Sequence, residues 1–268
     1  MRHAYGPDGI LIMDGVLIID KEKNFTSHDV VAKVKKALGA KKVGHLGTLD
    51  PNATGVLALV INKATKYADR FSGGEKTYHA VVKLGEETDT YDSEGKITET
   101  KSIDGVSAED VEKVLCSFLG EIDQLPPMFS AVKKDGVPLY KLARKGIEIE
   151  REAKKVEIYS IENIKVELPL VSFDVSASRG TYIRTLAFDF GRKLGVGAHL
   201  QDLRRTGSGI FKIDDSVKCT ESKEVLESKV IPLGKLLMDS VKEDSVNKDK
   251  RSSVEATGDS KTESAVTL

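Results

Sequence analysis

A chain of 268 residues can bury a sizeable core in one large domain or two smaller ones, and 40% hydrophobic with 31% charged residues is the balance of a soluble globular protein. A net charge of −1 excludes attraction of nucleic acid by total charge, though a local basic face could still provide it. The distant Cys116 and Cys219 and only five histidines suggest neither a disulfide framework nor a zinc site, and no apolar run is long enough for a signal peptide or a membrane span, so a soluble cytoplasmic protein is expected.

In chain order, "GVLIID" (15–20) is an apolar run suited to a buried strand. The stretch "TSHDVVAKVKKALG" follows as a helix. Thr26 or Ser27 can cap it, Val30, Val31, Val34 and Leu38 form one stripe, and Gly39 ends it. In "TYHAVVKLG" (77–85), Tyr78, Ala80, Val82 and Leu84 alternate onto one face of a strand. "SAEDVEKVLCSFLG" opens with a capping box, Ser107 to Asp110, and keeps helical spacing toward Gly120.

Residues 123–155 are rich in Lys, Arg, Gly and Pro and read as a basic excursion from the body. "VEIYSIENIKV" and "LVSFDVSA" read as strands. "TYIRTLAFDFGRKLG" is a helix burying Ile183, Leu186, Phe190 and Leu194. Without a repeating β-α unit, this order favours an α+β fold around a mixed or antiparallel central sheet. Residues 239–268 carry few large apolar side chains and read as a polar, disordered tail.

Chemistry concentrates in "VGHLGTLDPNATGVLALVIN" (43–62), where glycines surround a single acid, Asp50. Pro51 pushes Asp50 out of the helical region, and the glycines leave room for close approach. An isolated Asp-Pro pair is ordinarily a turn. The loop has neither GxxxxGK[ST] nor a GxGxxG opening a helix, so a phosphate cradle is disfavoured. Two other stretches stand out, "SASRGTYIRTLAFDFG" with Arg184 and "GAHLQDLRRTGSGIF" with the pair Arg204–Arg205. Taken singly, both read as solvated surface.

Five ordered motifs change that reading: "GVLIIDKEKNFTS", "VGHLGTLDPNATGVL", "KTYHAVVKLGEETDTYDSEG", "QLPPMFSAVKKDGVPLYKLARKG" and "SRGTYIRTLAFDFGRKLGVGAHLQDLRRTGSG". Together they resemble the tRNA pseudouridine synthases that modify uridine 55 of the T loop, over about residues 15–238. The resemblance implies a pseudouridine-synthase catalytic fold over residues 1–238 with an inserted RNA-binding thumb at about 123–155. The family's small C-terminal RNA-binding domain is expected to be absent.

The resemblance also implies the site. Asp50 matches the catalytic aspartate, Arg184 its paired arginine and Tyr78 the tyrosine that stacks on the target base. Leu203 matches an apolar residue on the other side of the uracil, and Tyr182 and Lys21 match further pocket residues. His45 matches a histidine that aids base flipping by occupying space in the T loop. Lys133, Lys134, Lys141, Arg144, Lys145 and Arg151 are expected to meet phosphates, so binding should weaken with salt. No cofactor or metal is implied. The expected partner is the T-stem loop of tRNA, bound by a monomer with no membrane contact. A pseudouridine synthase aimed at another RNA, or a tRNA-folding chaperone with incidental catalysis, are the alternatives.

Overall fold

The structure, a computed structural model, describes residues 13–238; the expected tail over 239–268 lies outside the described residues. The strands are β1 (Gly15–Lys21), β2 (Val43–His45), β3 (Thr54–Ile61), β4 (Lys76–Leu84), β5 (Glu86–Thr88), β6 (Ile97–Thr100) and β7 (Gly120–Gln124). They continue with β8 (Lys133–Lys134), β9 (Val137–Pro138), β10 (Lys154–Glu167), β11 (Leu170–Ala177), β12 (Ala198–Ser208), β13 (Phe211–Lys212) and β14 (Ile231–Pro232). The α-helices are α1 (Ser27–Leu38), α2 (Ala68–Ser72), α3 (Ala108–Cys116), α4 (Leu139–Ala143), α5 (Ile183–Leu194) and α6 (Lys223–Ser228).

The helix ends follow from local chemistry. Thr26 caps α1: its hydroxyl accepts from the Asp29 N–H at 3.0 Å while the Asp29 carboxylate accepts from the Thr26 N–H at 2.9 Å. Gly39 closes the helix in the left-handed conformation, at φ 61°. Ser107 and Asp110 form the same reciprocal box at α3. That helix stops at Cys116, short of the expected Gly120. Its last turn tightens, with Phe118 N–H on Leu115 O at 3.1 Å and Leu119 N–H on Cys116 O at 3.2 Å.

A ten-stranded sheet organises the molecule, in the order β14-β1-β3-β12-β4-β11-β10-β7, with β2 beside β3 and β13 beside β12. Its pairings are antiparallel except one: β12 runs parallel to β3, setting Arg204 and Arg205 against Thr54 and Gly55. The sheet is therefore mixed, and the α+β expectation holds. On one face, α3 and α5 cover β4, β10 and β11 through Leu115, Phe173, Leu186 and Phe190. β1 and β3 are packed on both faces, by α1 through Val30 and Val34 and on the other side by Phe71 and Phe211. This explains the continuous apolar runs of β1 and β3, where alternation would mark a strand with one wet face.

Residues 123–155 carry secondary structure of their own. They begin and end as paired strands, with Asp123 opposite Lys155 and Gln124 opposite Lys154, and carry the β8–β9 hairpin and α4 beyond. Among the described residues no helix is long and apolar enough to cross a membrane.

Candidate active site

The parallel join between β3 and β12 creates the site, because it brings the loop before β3 against the end of β12. Gly55 permits the contact. At φ 97°, a Cβ added there would sit 2.1 Å from the carbonyl oxygen of Arg205. Any other residue would force the strands apart.

The loop of residues 46–53 is fastened along its length. Leu46 N–H donates to Ala58 O at 3.0 Å. Arg205, 3% exposed, donates to the carbonyls of Gly47 at 3.0 Å, Thr48 at 3.3 Å and Val56 at 2.7 Å. The Ser27 hydroxyl at the start of α1 bonds both N–H and O of Leu49, at 2.9 and 3.0 Å. Pro51 O accepts from Lys21 Nζ at 2.9 Å and from Asn24 N–H at 3.0 Å, and Ala53 N–H closes the turn on Asp50 O at 3.1 Å. A loop pinned from β1, α1, β3 and β12 presents its one acid in a fixed direction.

Lys21 is wholly buried beneath this loop. Its ammonium also donates to Glu22 O at 3.0 Å and Phe25 O at 2.8 Å. Burial lowers its pKa to about 8, against a smaller raising effect from Asp50. It supports the site from behind, out of reach of solvent.

Asp50 faces outward, its side chain 43% exposed, and its Oδ2 lies 2.9 Å from Arg184 Nε. Arg184 is 6% exposed and held at every branch. It donates to Thr90 O at 3.1 Å and Phe129 O at 2.8 Å, and it lies 3.6 Å from an oxygen of Asp92. The surface-arginine reading of its helix therefore fails: the side chain points inward, where β3's loop, the turn at Asp92 and the root of the insertion meet.

Tyr78 and Arg205 are cross-strand partners on β4 and β12, so their side chains share a face. Tyr78 is 8% exposed, and burial raises its phenol's pKa while Arg205 opposes that shift. Leu203, opposite Ala80, is half-buried between two core clusters. Tyr182 is half-buried at the N-terminus of α5, its phenol likewise raised by burial. His45 ends β2, half-buried. Its Nδ1 has no protein partner, and burial first, then Arg205, lowers its pKa.

Among the insertion's six basic residues expected to meet phosphates, Arg151 alone is turned inward. Lys133, Lys134, Lys141 and Lys145 are exposed, with Lys134 donating to Glu150 O at 2.8 Å. Arg144 is exposed with its guanidinium 5.5 Å from the centre of the Tyr140 ring. Arg151 is turned inward, 11% exposed, on Pro126 O at 3.0 Å and Glu148 at 3.1 Å. Its geometry is that of an anchor for the insertion's root.

Arg205 and Asp92 were not legible as site residues from spacing alone. Arg205 reads as half of a basic surface pair, yet Arg204 alone is outward, bonded to Asp20 at 3.0 Å through both terminal nitrogens. No group of three or more His, Cys, Asp or Glu among the described residues is placed to hold a metal.

Residues 35–183 match the TruB family pseudouridylate synthase N-terminal domain, and residues 184–238 match the tRNA pseudouridylate synthase B C-terminal domain. The chain is 49% identical over 216 residues to tRNA pseudouridine synthase B of Geobacter sulfurreducens, covering 81% of this chain and 71% of that one. With the enzyme of the same name from Clostridium tetani it shares 48% over 226 residues, 84% of this chain and 78% of the relative. Among solved structures, a chain of a Cbf5-Nop10-Gar1 complex superposes with a TM-score of 0.65 at 32% identity, covering 86% of this chain and 64% of that one. A chain of an H/ACA RNP bound to a substrate RNA containing 2′-deoxyuridine gives 0.60 at 30%, covering 83% and 57%. The chain thus spans less than two thirds of those two solved chains.

Proposed function

The chain belongs to the TruB family of pseudouridylate synthases, and from that premise we propose that it isomerises uridine 55 in the T loop of tRNA, with Asp50 as the attacking carboxylate. The observation that carries this reading is the Asp50–Arg184 pair, 2.9 Å apart, on a loop whose every turn is fastened while the carboxylate itself stays open.

The chemistry asks for such an arrangement. The N1–C1′ bond breaks, the uracil turns, C5 bonds to C1′, and the proton from C5 is lost while N1 gains one. Atoms balance within the nucleoside, so no co-reactant enters. The carboxylate attacks either C1′ of the ribose or C6 of the base. In both cases a substrate closing over Asp50 strips its water, and Arg184 then compensates the charge while fixing its direction. A uridine stacked in an RNA fold hides these atoms, so it must first be extruded. Tyr78, Leu203 and Tyr182 supply the surfaces that would receive the base, and His45 would fill the space it vacates. The exposed cations Lys133, Lys134, Lys141, Arg144 and Lys145 are the groups available to phosphates; Arg151, turned inward, is not assigned that role.

Relatives named tRNA pseudouridine synthase B share 46–49% identity with this chain, against 27–32% for the solved chains of Cbf5 and H/ACA complexes, which favours tRNA as the substrate. The deciding experiment is Asp50→Asn assayed on a T-arm minihelix for pseudouridine and for binding. Binding kept with isomerisation lost supports the reading; normal pseudouridine formation by the variant defeats it. A wild-type chain that binds the minihelix without modifying it would favour the chaperone alternative.

A further inference from the structure

The segment of residues 124–130 enters the sequence reading only as the start of the basic insertion. In the structure it is wrapped around the first turn of α5. Gln124, the last residue of β7, is 1% exposed. Both ends of its amide bond one residue: Tyr182 N–H donates to Gln124 Oε1 at 2.7 Å, and Gln124 Nε2 donates to Tyr182 O at 3.0 Å. Further along, Leu125 O accepts from the Thr185 hydroxyl at 3.4 Å and Phe129 O from Arg184 at 2.8 Å.

α5 needs this grip. Its N-cap residue is Tyr182, in an extended conformation with no side-chain cap bond, where a helix ordinarily begins on Ser, Thr, Asp or Asn. Capping from within the helix is replaced by capping from outside. A fork bonded to both N–H and C=O of one residue fixes that residue's rotation as well as its position. Two residues on, Arg184 leaves the helix for Asp50.

We propose that Gln124 is a positioning residue for the isomerisation: its amide fixes the start of α5 and so the direction from which Arg184 meets Asp50. The same strap leads directly into the exposed hairpin of Lys133 and Lys134, so the segment expected to grasp RNA and the counter-ion of the reacting carboxylate share one anchor. The inference rests on the reading of Asp50 above. A wild-type chain forming no pseudouridine would defeat that reading first.

The test uses Gln124→Met, which keeps length and burial but loses both bonds, and Gln124→Glu, which keeps the acceptor for Tyr182 N–H and loses the donor to Tyr182 O. Single-turnover rate, dissociation constant for a T-arm minihelix and melting temperature are measured for each. Gln124→Met is expected to lose on the order of 10²-fold in rate with binding almost unchanged, because a small misplacement distant from the chemistry is felt at the reacting atoms. Gln124→Glu should fall between it and the wild type. A folded Gln124→Met within about twofold of the wild-type rate overturns the proposal, as does a rate loss matched by an equal loss of affinity. If Gln124→Met does not fold, Gln124→Glu decides by the same two criteria.

Discussion

Arg184 Nε lies 2.9 Å from Asp50 Oδ2, and the pair is lopsided: the arginine side chain is 6% exposed and the aspartate 43%. The cation is already desolvated and immobilised by Thr90 O and Phe129 O, so its reorganisation has been met in folding. On the proposed reading, the anion gives up its remaining water only when a substrate closes over it. Arg184→Lys tests this division. A lysine keeps the charge, but its three donors radiate from one nitrogen and cannot reach Asp50, Thr90 O and Phe129 O, which Arg184 meets from three separate nitrogens. The expected result is a fall on the order of 10²–10³-fold in turnover with minihelix affinity nearly unchanged. Measured kcat and KM would show it, and an effect confined to KM would contradict it.

Lys21 gives the fold a pH dependence of unusual sign. Its amine titrates at 10.5 when unfolded and at about 8 when folded, because burial disfavours the ammonium. Between those values the unfolded chain binds more protons, so stability rises with pH; below pH 8 the burial cost weighs in full, and above 10.5 it is gone. The gap corresponds to about 3 kcal/mol. Urea denaturation of wild type and Lys21→Met between pH 8 and 10.5 should show their stability difference moving in the wild type's favour by up to that amount. A difference flat in pH would rule it out. Since Lys21 also holds Pro51 O, Lys21→Met should be the less stable protein wherever the amine is neutral.

How much of this was readable in the sequence depends on the range of the interaction concerned. Thr26, Gly39 and the capping box at Ser107 act over a few residues, and their signals stand in the chain as written. The alternation of Tyr78, Ala80, Val82 and Leu84 likewise gives the buried face of β4 directly. Arg205 and Gln124 were hidden for the opposite reason. Each bonds backbone atoms of segments more than fifty positions away, Val56 for one and Tyr182 for the other, and backbone atoms leave no residue-type signature. Arg184 was legible only through the motif resemblance, since nothing in its helix pattern marks it as pointing inward to Thr90 and Phe129. Lys21 and Arg151 match the motifs by residue type, but the sequence does not show that their side chains turn inward onto Pro51 O and Pro126 O.

The exposed lysines of the insertion should act through charge alone. Replacing Lys133, Lys141 and Lys145 by alanine, singly, is expected to weaken minihelix binding. The slope of log affinity against log salt should fall by up to about one for each phosphate left without its cation. Single-turnover rates at saturating RNA should stay near wild type, because none of these side chains has a bond to the loop of Asp50 or to α5. Arg151→Ala serves as the contrast. With its guanidinium on Pro126 O, the wild-type side chain holds the insertion's root, so its removal should lower the melting temperature and leave the salt slope unaltered. An Arg151→Ala variant with a changed slope would return that residue to the RNA-binding set.

His45 is expected to work by shape. Burial and the nearby Arg205 hold its pKa below the ordinary 6.5, and its Nδ1 has no protein partner, so near pH 7 the ring is neutral. The folded chain then binds fewer protons than the unfolded one at pH values between the lowered pKa and 6.5, and stability rises with pH across that window. A neutral ring brings no charge to the RNA, and the proposed role for it is to fill the space the base leaves. His45→Phe, flat and of similar reach, should therefore retain extrusion and turnover within a few-fold, while His45→Ala should slow both by about tenfold or more. Stopped-flow fluorescence of a minihelix with 2-aminopurine beside the target uridine reads extrusion, and single-turnover assays read the chemistry. If His45→Phe is as slow as His45→Ala, the imidazole contributes a hydrogen bond and not bulk, and the unpartnered nitrogen of this residue would be its donor or acceptor to RNA.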